Sequence, residues 1–109
     1  MSRKKRIEQL EGFLNNSPDD AFLNYALAME FIGDADDLKA RDILEKLIKS
    51  NPGYTATYYH LGKLLERAGE DEVAIKVYER GIKITRQNGE QHALSELQSA
   101  LNEMQNPDW

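Results

Sequence analysis

Apolar residues recur every three or four positions in six stretches of the chain, and polar breaks separate these stretches. In the first stretch, Ile7, Leu10, Phe13 and Leu14 share one helical face. The breaks are rich in Gly, Asn, Asp, Ser and Pro, which favour turns and helix ends. The pattern predicts an all-α protein with about six helices, at residues 3–16, 21–32, 38–49, 55–67, 71–86 and 90–104.

The second and third stretches also predict how their helices pack. The second is apolar nearly all round, so we expect it to be covered on two sides. In the third, we expect one apolar face to point inward. The residues of that face are Leu38, Ile43, Leu44, Leu47 and Ile48.

Small residues and aromatic residues accompany each other in the fourth and fifth stretches. Gly62 and Ala74 are small residues inside helical patterns, and Tyr58 and Tyr78 are aromatic. A small residue lets a second helix approach closely, and a nearby aromatic ring fills the remaining gap. We therefore predict two antiparallel helices joined by a short turn at Gly69.

The chain resembles itself when it is shifted by 34 residues. The shift aligns Pro18 with Pro52, Tyr25 with Tyr59, Leu27 with Leu61, Ala28 with Gly62, Asp37 with Asp71 and Ala40 with Ala74. Such a period, with two helices in each unit, indicates a helical repeat array. In such an array each helix pair leaves an apolar face open, and the neighbouring pair covers it.

With these residues the sequence resembles the tetratricopeptide repeat (TPR) family. The second repeat carries the family pattern at Tyr58, Leu61, Gly62, Leu65, Gly69, Ala74, Tyr78 and Gly81. It departs from the pattern at Arg86, where the family has proline. The first repeat matches at Leu27, Ala28, Phe31, Ala40, Leu44 and Pro52. Its glycine, Gly33, comes two residues early, and Leu47 replaces a small residue.

The resemblance implies a right-handed α-solenoid of antiparallel helix pairs that forms a single domain over residues 1–109. Residues 3–16 would be a leading helix, 20–52 repeat one, 54–87 repeat two and 90–104 a terminal capping helix. Polar residues of the last helix would close the exposed end of the stack. These residues are Gln91, Ser95, Glu96, Gln98, Ser99, Asn102 and Glu103.

The resemblance also implies a function, namely a scaffold that binds a peptide or partner segment in a concave groove. By family register, the groove residues would be Phe22, Tyr25, Met29, Tyr59, His60, Lys63, Arg67 and Leu97. Tyr25 and Tyr59 would stand side by side there, although the same aromatics could instead pack as core. Tyr25 and Met29 occupy positions where one branch of the family has the Lys and Asn that grip acidic chaperone tails. We therefore predict no binding of that kind.

A rival prediction is a self-associating helical stack. The apolar first repeat and the incomplete leading repeat would expose one end, and two chains could cover each other there as a homodimer. Both hypotheses name a protein partner and require no cofactor.

Charge and composition exclude several classes of function. The net charge is −5, which is unfavourable for a general polyanion binder. Residues 3–6 are all basic, while the rest of the chain has ten basic and nineteen acidic residues. We interpret the basic run as a solvated first helix turn or a frayed terminus, and we predict no nucleic-acid partner. The chain has no cysteine, no secretory signal pattern and no apolar run long enough to cross a bilayer. We predict a cytoplasmic protein without a membrane partner.

No residue pattern points to catalysis, so we predict that the protein is not an enzyme. His92 and Glu96 could share a helical face, but two ligands are too few for a metal site. No Ser, His and acid cluster is suggested by spacing, and no glycine-rich phosphate loop follows a strand. The tail that ends at Trp109 is predicted to be free of the last helix.

Overall fold

The structure, a computed structural model, describes residues 1–106, and the tail that ends at Trp109 lies outside these residues. The described chain forms six α-helices and no strand. They are α1 (Arg3–Asn16), α2 (Ala21–Gly33), α3 (Asp37–Ser50), α4 (Ala56–Arg67), α5 (Asp71–Asn88) and α6 (Gln91–Gln105). The all-α prediction is confirmed. In residues 1–106, no helix is both long and apolar enough to cross a membrane.

The chain forms two compact units, of which the first ends at Tyr54 and the second begins at Thr55. In the first unit, α1 and α3 both pack against α2, as the apolar circumference of α2 predicts. The buried apolar residues of this unit are Leu27, Ala28, Phe31, Ala40, Leu44, Leu47 and Ile48. Leu38 is not among them, because its side chain is 81% exposed in the first turn of α3. The expectation that Leu38 faces inward is therefore wrong.

Polar contacts fasten α1 to α2. No residue of α1, which spans 3–16, is fully buried. The Arg6 Nε donates to a Glu30 carboxylate oxygen at 3.0 Å, and Arg3 lies 3.5 Å from the same oxygen. The guanidinium of Arg3 also fills the space that a Cβ at Gly33 would occupy. Two of the four basic residues of the first turn are thus bound to α2.

In the second unit, α5 packs against both α4 and α6, and α4 also contacts α6. The buried side chains include Tyr58, Leu61, Leu64, Leu65, Ala74, Tyr78, Leu94, Leu97 and Ala100. A Cβ on Gly62 would overlap the ring of Tyr78, and a Cβ on Gly81 would lie 2.7 Å from the Tyr58 Cβ. Both glycines therefore make room for a tyrosine of the facing helix, in agreement with the small-and-aromatic pattern.

The two helix pairs turn in the same way. In the second pair, Gly69 has φ +76°, and the Glu70 N–H donates to the Leu65 carbonyl at 2.9 Å. In the first pair, the Asp36 N–H donates to the Phe31 carbonyl, also at 2.9 Å. The left-handed residue there is Ala35, with φ +58°. Gly33, which comes early for a turn, ends α2 instead.

Candidate functional site

A groove opens between α4 and α6 in the second unit, with a volume of about 340 Å³. We call it the α4/α6 groove. Its lining residues are Tyr59 and Lys63 from α4, with His92, Ser95, Glu96, Ser99, Ala100 and Glu103 from α6. Each set recurs at three- or four-residue intervals, which places its members on one helical face. The groove is therefore formed by one face of α4 and one face of α6, both of which stay partly open to solvent.

The α4 wall is fixed in place by packing behind it. Tyr58, Leu61 and Leu65 bury the opposite side of α4. Tyr59 and Lys63 are four residues apart and half-buried, and the Lys63 Nζ lies 5.6 Å from the Tyr59 ring centroid. A cation over an aromatic face is attracted to the ring. The wall thus presents a tyrosine ring and an ammonium group held beside it.

The lysine is also held by a carboxylate that a buried tyrosine orients. The Lys63 Nζ lies 3.6 Å from the Glu66 carboxylate, and the Tyr78 hydroxyl donates a hydrogen bond to that same carboxylate. Burial, and then the bond to Glu66, raise the pKa of Tyr78 above its ordinary value, and Glu103 adds to the rise. Tyr78 therefore stays protonated and acts as a donor that orients Glu66.

Both histidines of the chain, His60 and His92, interact with Glu96. His92 Nε2 is 3.9 Å from a Glu96 carboxylate oxygen, and the His92 side chain is exposed. His60 is half-buried, and its burial lowers its pKa, although the charge of Glu96 opposes that effect. Within residues 1–106, no three His, Cys, Asp or Glu side chains are grouped to hold a metal ion.

Two of the predicted groove residues, Tyr59 and Lys63, line the α4/α6 groove. His60 is their neighbour, with its ring edge-on to Tyr59 at 5.3 Å between centroids. Arg67 is exposed at the end of α4. Leu97 is 1% exposed and lies 3.0 Å from a Cβ built at Gly81, so its side chain belongs to the core. The prediction that Leu97 offers a groove surface is corrected accordingly.

The other predicted residues belong to the first unit. Phe22 is exposed at the start of α2, whereas Tyr25 and Met29 are half-buried. The Tyr25 ring packs at a tilt against Tyr54, with 5.6 Å between ring centroids. The pattern along the chain gave no sign of Tyr54, because it follows α3 and belongs to no helix. The predicted side-by-side placement of Tyr25 and Tyr59 concerns two separate units and stays a prediction.

The sequence pattern did not assign Ser95, Glu96, Ser99 and Glu103 to a groove. It assigned them to the polar side that closes the stack, but they face α4 across the groove. The signal was present in their spacing, because 92, 96, 99 and 103 form one stripe along α6. The rotation of α6 about its own axis buries Leu94 and Leu97, and it thereby turns these four residues toward α4.

Comparison with known proteins agrees with this architecture. Tetratricopeptide repeat families match residues 20–54 and residues 55–88. The crystal structure of a tetratricopeptide repeat domain protein from Salinibacter ruber is 40% identical, with a TM-score of 0.78. The match covers 82% of this chain and 99% of that one. The chain therefore belongs to the tetratricopeptide repeat family.

Two further relatives extend the similarity. A TPR repeat-containing protein of Pseudomonas aeruginosa is 29% identical over 91 residues, which cover 84% of this chain and 87% of the relative. The solution structure of a protein from Bordetella parapertussis is 25% identical with a TM-score of 0.79. That match covers 94% of this chain and 89% of the other. TPR repeats generally mediate protein–protein interaction and are in general non-catalytic scaffolds.

Proposed function

We propose that this protein is a non-catalytic interaction module whose α4/α6 groove holds a segment of a partner protein. The observation that carries the proposal is the groove itself, a space of about 340 Å³ between helix faces. Tyr59 gives it an amphipathic ring on a rigid wall, and tyrosine is common among interface anchors. Ser95 and Ser99 on the other wall are exposed hydroxyls that can pair with a peptide backbone.

The contacts of the N-terminal basic run support a protein partner over a nucleic acid. Arg3 and Arg6 are both engaged with Glu30, which reduces the charge they present to a phosphate backbone. Cytoplasmic location stays a prediction.

Site-specific photo-crosslinking in the native host tests the groove. A benzophenone side chain at Ser99, which is exposed and lines the groove, should crosslink a discrete partner. The same group at Lys76, which is exposed on α5, serves as the matched control. Crosslinking from Ser99 alone is the expected result. An identical product from both positions, or none from Ser99, would contradict the groove as the binding site.

A second candidate function, self-association, is favoured by a different observation. Among the described residues, four of the five exposed large apolar side chains lie in the first unit, namely Met1, Phe13, Phe22 and Leu38. Where exposed apolar side chains of this size adjoin one another, they favour association between chains. Sedimentation velocity at increasing concentration should show a dimer that the double substitution Phe13→Ser with Phe22→Ser abolishes. Val73→Ser, which changes an exposed residue of the second unit, should leave it intact. A monomer at every concentration rules this candidate out.

A further inference from the structure

We infer that the segment held in the α4/α6 groove is basic and extended, with lysine or arginine side chains opposite Glu96 and Glu103. The inference rests on the proposed function, because it specifies the chemistry of the same groove's occupant. It depends on how the charges of the two walls are distributed and on the spacing of the two carboxylates.

The α6 wall carries only negative formal charge. Residues 91–105 contain Glu96 and Glu103 but no lysine or arginine. The two glutamates are seven residues apart, so they share a face and lie about 10 Å apart along the helix axis. Both line the groove, and both are exposed. A partner therefore meets two carboxylates at a fixed separation.

The cation on the opposite wall is already engaged. Lys63 has the Glu66 carboxylate at 3.6 Å and the ring of Tyr59 at 5.6 Å. Arg67 ends α4 and is not among the residues that line the groove. The glutamates of α6 consequently dominate the charge that the groove presents to an approaching segment.

The spacing also sets the form of the occupant. A chain in the extended polyproline II conformation advances about 3.1 Å per residue with three residues per turn, so side chains three residues apart share one face and are separated by about 9 Å. This distance is close to that between Glu96 and Glu103 along α6. A segment in this extended conformation with basic residues three positions apart therefore matches both carboxylates in charge and spacing.

The test uses three pools of short synthetic peptides with the same randomised positions. The pools differ only in two fixed positions three residues apart, which hold lysine or arginine, glutamate, or glutamine. Titration of the isotope-labelled protein by NMR should show that the basic pool shifts the amide signals of Tyr59, Glu96 and Glu103. Removal of both carboxylates, in Glu96→Gln with Glu103→Gln, should weaken binding of that pool about tenfold. Added salt should weaken the wild-type interaction in the same direction.

Glu72 and Glu79 provide a matched control. They are also seven residues apart and exposed, but they lie on α5. The double substitution Glu72→Gln with Glu79→Gln changes net charge equally and should leave binding of the basic pool unchanged. If the two double variants weaken binding equally, the effect comes from net charge and the inference is overturned.

The remaining outcomes separate the inference from the proposed function. Shifts of the groove amides by the acidic pool, or equally by the glutamine pool, would overturn the basic occupant while leaving the groove as a binding site. If no pool shifts the groove amides, both the basic occupant and the groove function are contradicted.

Discussion

The helix pairs α2/α3 and α4/α5 have the same backbone at their turns but different residues at the critical positions. In the first pair the left-handed residue is Ala35, and in the second it is Gly69. The flanking hydrogen bonds match, since Ala35 N–H to Ile32 and Gly69 N–H to Glu66 are both 3.0 Å. A left-handed conformation disfavours a residue with a Cβ by about 1–2 kcal/mol. The packing of each helix pair therefore fixes the backbone conformation of its turn, whichever residue occupies the left-handed position.

The pairs also differ where their helices approach most closely. Gly62 of α4 leaves room for the ring of Tyr78 in α5. The positions 34 residues earlier are Ala28 and Leu44, and both are completely buried. In the second pair, the small residue Gly62 is thus combined with the large side chain of Tyr78. In the first pair, the equivalent positions hold the larger Ala28 and the smaller Leu44. Each combination can fill its space to the density of a protein interior.

The largest loss of stability is expected where a substitution disturbs this match between the sizes of facing residues. In Gly62→Ala the new methyl would overlap the Tyr78 ring, which is fully buried. We expect the free energy of unfolding to fall by about 3 kcal/mol. Ala28→Gly in the first pair should lower it less, by about 1–2 kcal/mol, through helix propensity and the loss of a buried methyl group. Urea denaturation measures both.

The double variant Gly62→Ala with Tyr78→Leu tests the steric explanation directly. It reproduces in the second pair the combination that the first pair has, so it should recover part of the stability lost in Gly62→Ala. If Tyr78→Leu adds its own loss in full, the steric explanation is wrong.

The next effect concerns a hydrogen bond for which the first pair has no counterpart. The Tyr78 hydroxyl donates to Glu66, whereas Leu44 at the equivalent position has no polar group. Tyr78→Phe should lower the free energy of unfolding by about 1.5 kcal/mol, in the range for hydrogen bonds to charged groups. Addition of Glu66→Gln should reduce this penalty, because the acceptor is then neutral. A penalty that Glu66→Gln leaves unchanged would mean that Tyr78 acts through packing alone.

A smaller effect, of opposite sign in the two pairs, is expected at the turns. Ala35→Gly removes backbone strain at φ +58°, which stabilises the folded protein. Glycine also has greater conformational freedom in the unfolded chain, which offsets part of this gain. The free energy of unfolding should therefore rise by about 0.5–1 kcal/mol. Gly69→Ala should lower it by a similar amount. A Cβ at Gly69 meets no other atom, so this change isolates the backbone term. Thermal denaturation of both variants provides the check, and shifts of the same sign would contradict it.

The smallest expected effect is a pH dependence of the free energy of unfolding that arises from a residue of the second unit. The pKa of His60 is lowered in the folded protein by burial, so the unfolded chain binds more protons at mildly acid pH. Stability should therefore fall as the pH drops through about 6.5 and stop falling below the folded pKa. The residue 34 positions earlier, Ala26, cannot titrate. His60→Gln should remove this part of the pH dependence, as measured by urea denaturation between pH 5 and 8.

His92→Gln is the control for that measurement, because it keeps His60 and changes an exposed side chain. Equal loss of the pH dependence in both histidine variants would show that burial of His60 is not its origin.

The six helices, the 34-residue period and the close approach at Gly62 could all be predicted from the amino-acid sequence. These features depend on local spacing and residue size, which a one-dimensional pattern carries directly. The positions of Tyr59 and Lys63 on an open helix face followed from the resemblance to the tetratricopeptide repeat family. At two helix starts the structure shows a side-chain cap, because Asp20 and Asp36 accept hydrogen bonds from the amides of Leu23 and Lys39.

The rotation of each helix and the partners of its polar groups were fixed by packing between the helices. That rotation buried Leu97, exposed Leu38 and turned Glu96 and Glu103 toward α4. Packing also placed Ala35 in a left-handed turn that its sequence does not favour. A periodic pattern defines a helical face only to within part of a turn, and the packing of neighbouring helices fixes the remaining angle. The charge of the groove depends on that angle, since it determines which side chains of α6 face α4.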